Sequence, residues 1–470
     1  MSDELNKWKL ENLDSVSTSF CAAKWLNSSI HLGHGYTHSC HLPLPHQIDK
    51  TLLETDPSAI HNTAHKKIQR EKMLKGERPS ECEYCWKIED IGRKNISDRV
   101  YKSMIYNSDD INKIATMDPT TNVIPKTLEI SFDRTCNLAC SYCNAGYSTT
   151  WAADIRNNGP YQQLKSDGGG AYQHAGNWAE PYGKFGTDNP YTKAFFEWWP
   201  ELQKELLEIR ITGGEPIMSH NFWKFCDMIK QSDVSNLRMA VNSNLCVKDD
   251  LINNLIKFTK DSNLKEFDLY TSCEAYGAHA EYIRSGLDYN RWRNNLIYFI
   301  ENAKYRAVTI MMTINSLCLF SITEFLDDMI ELKEKYGQQN PHIDLNILRW
   351  PSFMSPLALP DNLKTSVKNN LISWFDKNKG NPLLVSGEKA QIQRLIDYLE
   401  VVETPHQRAD TNKNHLHHDF KSFYSQYDVR RNKDFRSVFP TELVEWYDSI
   451  EIDSSIENIV VGTGEINHHD

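Results

Sequence analysis

Nowhere in this 470-residue sequence do about eighteen apolar residues run together, so no membrane-spanning helix is expected. The stretch Met1 to Leu10 is polar and charged and lacks the apolar segment of a secretory signal. Positive charge is in deficit: 52 Lys and Arg against 63 Asp and Glu give a formal charge of −11. No basic run has the make-up of a nucleic-acid stripe. The nearest candidate, His65-Lys66-Lys67 through Arg70 and Lys72, reads as a solvated helix face. These absences argue against membrane and nucleic-acid partners and lead to the expectation of a cytoplasmic protein. In that compartment thiols stay reduced, and clustered cysteines favour metal over disulfide.

What is present is enough apolar content, 40%, for a sizeable core and two or three domains. Three regions are expected: 1–123, rich in His and Cys and poor in strand patterns; 124–351, alternating apolar runs with amphipathic stretches; and 352–470, mostly helical. In the middle region strands are expected at Thr127–Phe132, Leu206–Thr212, Leu237–Asn242, Glu266–Ser272, Ala307–Asn315 and Ile343–Leu348. Between them the apolar residues fall at helical spacing in Asn221–Gln231, Asp249–Thr259, Arg291–Asn302 and Ile322–Tyr336. Strands alternating with helices imply βαβ units and a parallel sheet, either an incomplete α/β barrel or an open doubly wound sheet. Either way the chemistry belongs at the C-terminal strand ends. The connection 157–190 is long for a loop and carries Tyr161, Tyr172, Trp178 and Tyr182; it reads as a mobile insertion or as a substrate-covering lid. In the last region, "HHDFKSFYSQYDVRRNKDF" is charged and aromatic and reads only as a packing helix. His417, His418, His468 and His469 read as solvated.

The segment "FDRTCNLACSYCNAGYS" places Cys136, Cys140 and Cys143 directly after an expected strand. A structural zinc wants four closed ligands, and this segment supplies three. A redox CxxC pair would leave Cys136 unexplained. Three thiolates can hold three irons of a [4Fe–4S] cluster and leave the fourth open. "CNLACSYC" resembles the CxxxCxxC motif of radical S-adenosylmethionine (SAM) enzymes, with Tyr142 as the aromatic before the last cysteine. "ITGGEP", Ile211 to Pro216, resembles that family's GGE motif and follows in the same order. There Gly213 and Gly214 permit close backbone approach, and Glu215 can accept from the methionine ammonium. Softer resemblances fall at Ser272, Glu274 and Arg284, which resemble the family's contacts to the ribose and carboxylate of SAM, at Asn244, in an "NSN" where relatives often carry Thr-Asn-Gly, and at Asn315, by its place at a strand end. A guanidinium suits a carboxylate, although Arg284 could instead pair with Glu281 at helical spacing. The resemblance spans about 126–351. It implies a partial (β/α)6 barrel, SAM at the open iron, and reductive cleavage to a 5′-deoxyadenosyl radical that abstracts a substrate hydrogen. It also implies a reductant such as flavodoxin or ferredoxin.

A second set, Cys21, Cys40, Cys82 and Cys85, includes the CxxC of "ECEYCW". Four such residues match closed sulfur ligation, of zinc or of an iron–sulfur cluster. The set resembles the SPASM/twitch modules of radical SAM enzymes, which implies an auxiliary [4Fe–4S] cluster, with zinc as the alternative. In the better-known members that module follows the barrel; here it precedes it. Nearby His31, His34, His38, His41 and His46 read as polar surface residues. Cys226, Cys246, Cys273 and Cys318 are scattered, and Cys226 and Cys273 read as small buried hydrophobes. The resulting expectation is radical chemistry on a peptide or protein side chain. The alternatives are the same chemistry on a small metabolite or nucleotide-derived substrate, and a non-catalytic metal-bound scaffold.

Overall fold

The computed structural model describes residues 2–92, 95–173, 188–401 and 412–452; Trp178, Tyr182, His468 and His469 lie outside them. The strands are β1 (Asn27–His31), β2 (Tyr36–His38), β3 (His46–Gln47), β4 (Thr127–Ser131), β5 (Ala139–Cys140), β6 (Glu208–Thr212), β7 (Arg238–Ser243), β8 (Glu266–Ser272), β9 (Arg284–Ser285), β10 (Ala307–Ile314) and β11 (His342–Ile347). The six expected strands are β4, β6, β7, β8, β10 and β11, each shifted by at most two residues at an end. The chain folds as two units. The described residues of Met1–Asp133, Glu180–Val241 and Asp261–Glu266 form the first, and those of Arg134–Ala179, Asn242–Lys260 and Phe267–Asp470 form the second. Each is mixed α/β.

In the first unit β1, β4, β6 and β7 run parallel as successive neighbours. Strand β2 lies antiparallel to β1, and β3 to β2. The N-terminal region therefore supplies three strands. They escaped the sequence pattern because β1 holds a single large apolar residue, Ile30, among polar ones. Strand alternation puts Ile30, Leu128, Ile130, Ile209 and Ile211 on one face, all buried. The other face carries Ser29, His31, Glu129, Ser131, Arg210 and Thr212. A parallel sheet covered by apolar groups on both sides would show continuous hydrophobic strands; this one has a single apolar face. Helix Pro190–Leu202, absent from the sequence expectation, starts on Asn189, whose Oδ1 accepts from the Tyr191 and Thr192 amides at 2.9 and 3.1 Å. Its Phe195 and Trp199 rings meet Phe225 of helix His220–Lys230 at 5.4 and 4.8 Å.

A second apolar cluster in this unit gathers Leu13, Phe20, Trp25, Met73, Trp86, Val100 and Tyr106. Helix Ala64–Leu74 packs beside it and corrects one expectation. Its Lys66 and Arg70 are fully buried, not solvated. The Lys66 ammonium donates to Ser28 Oγ and Thr37 Oγ1 at 2.7 and 2.8 Å. Arg70 donates to the Lys24 carbonyl and to Asn62 Oδ1, both at 3.2 Å. The hydroxyl and carbonyl acceptors on neighbouring segments are what allow these cations to leave water.

The second unit has β8, β10 and β11 in parallel and the two-residue pair β5–β9 antiparallel. Its charged and aromatic segment is the helix Lys413–Arg431. The described part of the long connection, 159–173, is fastened to that helix and is not a loose excursion. Tyr161 and Tyr172 are fully buried, with rings 4.9 and 4.8 Å from Phe423. Asp419 accepts from the Lys165 amide at 2.8 Å and from the Ser166 amide and hydroxyl at 2.7 Å. Arg430 and Arg431 lie 4.0 and 4.4 Å over the Tyr161 and Trp151 rings.

Candidate active site

The loop holding Cys136, Cys140 and Cys143 is tied down by its own continuation. Ser148 caps helix Thr149–Asn158 and donates to the Leu138 carbonyl at 2.8 Å. Thr149 Oγ1 accepts from the Cys136 amide at 3.1 Å, and Thr150 Oγ1 donates to the Cys136 carbonyl at 2.7 Å. Three consecutive carbonyls then meet three buried aromatic donors. Tyr427 Oη bonds Ala139 at 3.0 Å, Trp151 Nε1 bonds Cys140 at 2.9 Å, and Tyr172 Oη bonds Ser141 at 2.9 Å. On the other side β5 pairs with β9, setting Cys140 opposite Arg284. Gly286 follows with φ at +97°, and a Cβ there would stand 2.9 Å from the Asn137 carbonyl. None of these anchors was found from sequence. The Ser-Thr-Thr-Trp run after the cysteines carried an N-cap signal, whereas Tyr172 and Tyr427 are brought in by the fold.

None of the three thiols is in a disulfide. Burial pushes Cys143 up, and the nearby Cys140 and Cys136 push it further. Burial also raises Cys140, against the pull of Arg284. The guanidinium stands 3.7 Å from Cys140 Sγ. Its Nε donates to Glu274 Oε2 at 3.0 Å, and Tyr142 Oη donates to Glu274 Oε1 at 3.0 Å. Burial opposes the charge of Arg284, and Glu274, Tyr142 and Cys140 together hold it in place. Glu281, the partner considered at helical spacing, instead accepts from the Tyr289 amide at 3.0 Å.

Asn244 Nδ2 donates to Asn137 Oδ1 at 2.9 Å, at the base of the cysteine loop. Ser272 ends β8, half-buried. Asn315 Oδ1 accepts from the Leu317 and Cys318 amides at 3.0 and 3.1 Å, so its side chain builds the turn after β10. In the first unit, Gly213 has φ at +129°, and a Cβ there would meet the Asp133 carbonyl at 2.7 Å and Ser131 Oγ at 2.9 Å. Only glycine tolerates that backbone and that approach. The Gly214 amide donates to the same Asp133 carbonyl. Glu215 is buried and caps the following turn. Asp133 is the residue from which the chain continues to Cys136.

Cys21, Cys40 and the Cys82–Cys85 pair come from three separate segments of the first unit and line one cavity. Lys24, Ser39, Arg99 and Lys102 share the lining. Burial, with the neighbouring thiols adding to it, pushes Cys82 to about 12 and Cys85 to about 11. Among the described residues, no three His, Cys, Asp or Glu side chains converge closely enough to hold a single metal ion. A cluster asks for less convergence, because each thiolate binds a different iron. Both cysteine sets, with cationic groups beside them, fit such an anionic, sulfur-bound group. Of the nearby histidines, His41 is exposed as expected, whereas His31, His38 and His46 are half-buried. His34 is buried, and the His31 and His38 rings stack with their Nε2 atoms 3.4 Å apart. His38 Nδ1 donates to the Cys40 carbonyl, so its Nε2 accepts from His31. Burial lowers His31 and brings His38 to about 4. Cys226, Cys246, Cys273 and Cys318 are buried.

No protein-family model matches the sequence, and no curated protein matches it. Among solved structures, the chain is similar to native anSMEcpe with bound AdoMet, at TM-score 0.35 and 15% identity over 56% of this chain and 64% of that one. It is also similar to native anSMEcpe with bound AdoMet and Cp18Cys peptide, at TM-score 0.33 and 13% identity over 55% of this chain and 62% of that one. The match thus spans less than two thirds of those chains.

Proposed function

We propose that this chain is a radical SAM enzyme built on a partial (β/α)6 barrel over 124–351, with an auxiliary cluster module at 1–123 and a helical extension at 352–470. One observation carries the reading: three thiols on one pinned loop, with the Tyr142–Glu274–Arg284 network set beside Cys140. The order of CxxxCxxC and then GGEP along the sequence supports it. In this reading Cys136, Cys140 and Cys143 hold a [4Fe–4S] cluster whose open iron takes SAM, and Cys21, Cys40, Cys82 and Cys85 hold a second one. When bound, the first cluster supplies the electron that cleaves SAM to a 5′-deoxyadenosyl radical, which takes a hydrogen atom from the substrate.

The residues of this chain bind and orient. Arg284 keeps a positive charge beside Cys140, and Glu274 fixes its direction. By the resemblance of the GGEP motif, Gly213, Gly214 and Glu215 would contribute to binding the methionine moiety of SAM. Asn244, Ser272 and Asn315 stand at or just beyond strand ends, where the ligand is expected. The substrate is a peptide or protein side chain, a reading supported by the resemblance of the four-cysteine region to modules that accompany peptide modification. A flavodoxin or ferredoxin would deliver the electron. No helix among the described residues is long and apolar enough to cross a membrane.

Anaerobic reconstitution should load about eight irons per chain. With dithionite and SAM the loaded protein should release 5′-deoxyadenosine. Replacing Cys136, Cys140 and Cys143 with Ala should abolish that product, and its persistence would sink the assignment. Deuterium passing from a labelled candidate peptide into 5′-deoxyadenosine would establish the substrate class.

A further inference from the structure

One residue lining the four-cysteine cavity has a buried polar atom without a hydrogen-bond partner among the described residues. Ser39 is 3% exposed and lines the cavity, yet its Oγ has no hydrogen-bond partner among the described residues. Buried hydroxyls are rarely left so, because an unmade bond there costs free energy. The backbone around it is fixed: the Ser39 carbonyl accepts from Asn27 Nδ2 at 2.6 Å, and the Cys40 carbonyl accepts from His38. The hydroxyl alone is left to turn, on a residue that lines the cavity together with the four cysteines. Lys24 lines the same cavity with its side chain 2% exposed. Its ammonium is held by Glu81, which also meets His65 Nε2 at 2.5 Å. Arg99 is likewise paired, with Glu89 and Asp14 at 2.8 and 2.9 Å, but Lys24 also feels the charges of Cys82 and Cys40.

We infer that Ser39 and Lys24 set the reduction potential of the group held by Cys21, Cys40, Cys82 and Cys85. This rests on the reading of those cysteines as iron–sulfur ligands. An added electron makes the sulfurs more negative. An O–H donated to sulfur and a nearby fixed cation each favour the reduced state over the oxidised one. Both act in a water-poor cavity, where the interaction is little screened. The residues thus keep the auxiliary group easier to reduce than four thiolates alone would leave it. One electron enters, and no bond forms or breaks.

The test is an EPR-monitored redox titration of the reconstituted full chain carrying Cys136→Ala, Cys140→Ala and Cys143→Ala, so that only the auxiliary group reports. At a fixed potential, Ser39→Ala should lower the reduced-to-oxidised ratio about threefold, and Lys24→Gln about tenfold, which is about 59 mV for one electron. Ser39→Thr and Lys24→Arg should return it close to the parent value, with unchanged iron content in all four. An unchanged potential in both Ser39→Ala and Lys24→Gln, with iron retained, overturns the inference and leaves the cluster reading intact. Zinc in place of iron in the parent protein overturns the cluster reading itself, and the inference with it, before any tuning variant is measured.

Discussion

Arg284 and Glu274 are both buried, and each is the other's charge partner. Removing one partner of such a pair leaves an uncompensated charge out of water, at about 3–5 kcal/mol. Glu274→Gln should therefore lower the urea midpoint strongly, with an unchanged denaturant slope. The double variant Arg284→Met, Glu274→Leu should cost less than the two single changes summed, as a double-mutant cycle would show. The cysteines and Gly-Gly-Glu were legible because their meaning lies in local spacing. The Arg284–Glu274 pairing was not. The two lie ten residues apart in sequence, and the i,i+3 rule pointed to Glu281, which the end of helix Gly277–Ile283 turns toward Tyr289. Ser39 was invisible for a related reason: a lone serine gains significance only from the cavity around it.

Helix Lys413–Arg431 had no assignable role in the sequence, yet it supplies Tyr427 to the Ala139 carbonyl and Asp419 to the 159–173 segment. Asp419→Ala would leave the Lys165 and Ser166 backbone amides unsatisfied, each worth about 1–3 kcal/mol when buried. The expected result is faster amide exchange and earlier protease cleavage within 159–173, with the parent pattern elsewhere in helix 361–378. Tyr427→Phe should loosen the cysteine loop more mildly, seen as faster loss of iron to a chelator. The elements themselves were largely predictable from apolar periodicity. What periodicity does not carry is which helix lies under which loop, since helix 413–431 buries polar and aromatic residues together.

Over the molecule as a whole, buried histidines tie stability to pH. Burial, with Lys66 and Arg70 close by, holds His61 well below its ordinary value. Burial and the Lys66 charge bring His46 to about 3. In the unfolded chain these side chains take protons below about pH 6.5; in the folded chain they do so only much lower. The unfolded state binds more protons in that interval, so stability is complete above about pH 6.5 and falls as the pH drops toward 4. Urea titrations at pH 7.5 and 5.0 should show that loss, and His61→Asn together with His46→Asn should flatten it. Acid sensitivity was not legible beforehand, because these histidines sit in polar sequence and are buried only by elements distant along the chain.

The parallel pairing of β1 with β4 has one more consequence. Each of the five β4 residues has a β1 residue beside it, so β4 is an interior strand only because the first thirty-odd residues are present. A chain shortened to begin at residue 124 would turn β4 into a bare edge, with a row of open amides and carbonyls ready to pair with a second molecule. Such a fragment should sediment as aggregate where the full chain stays dispersed, even though every residue of the CxxxCxxC and GGEP motifs remains.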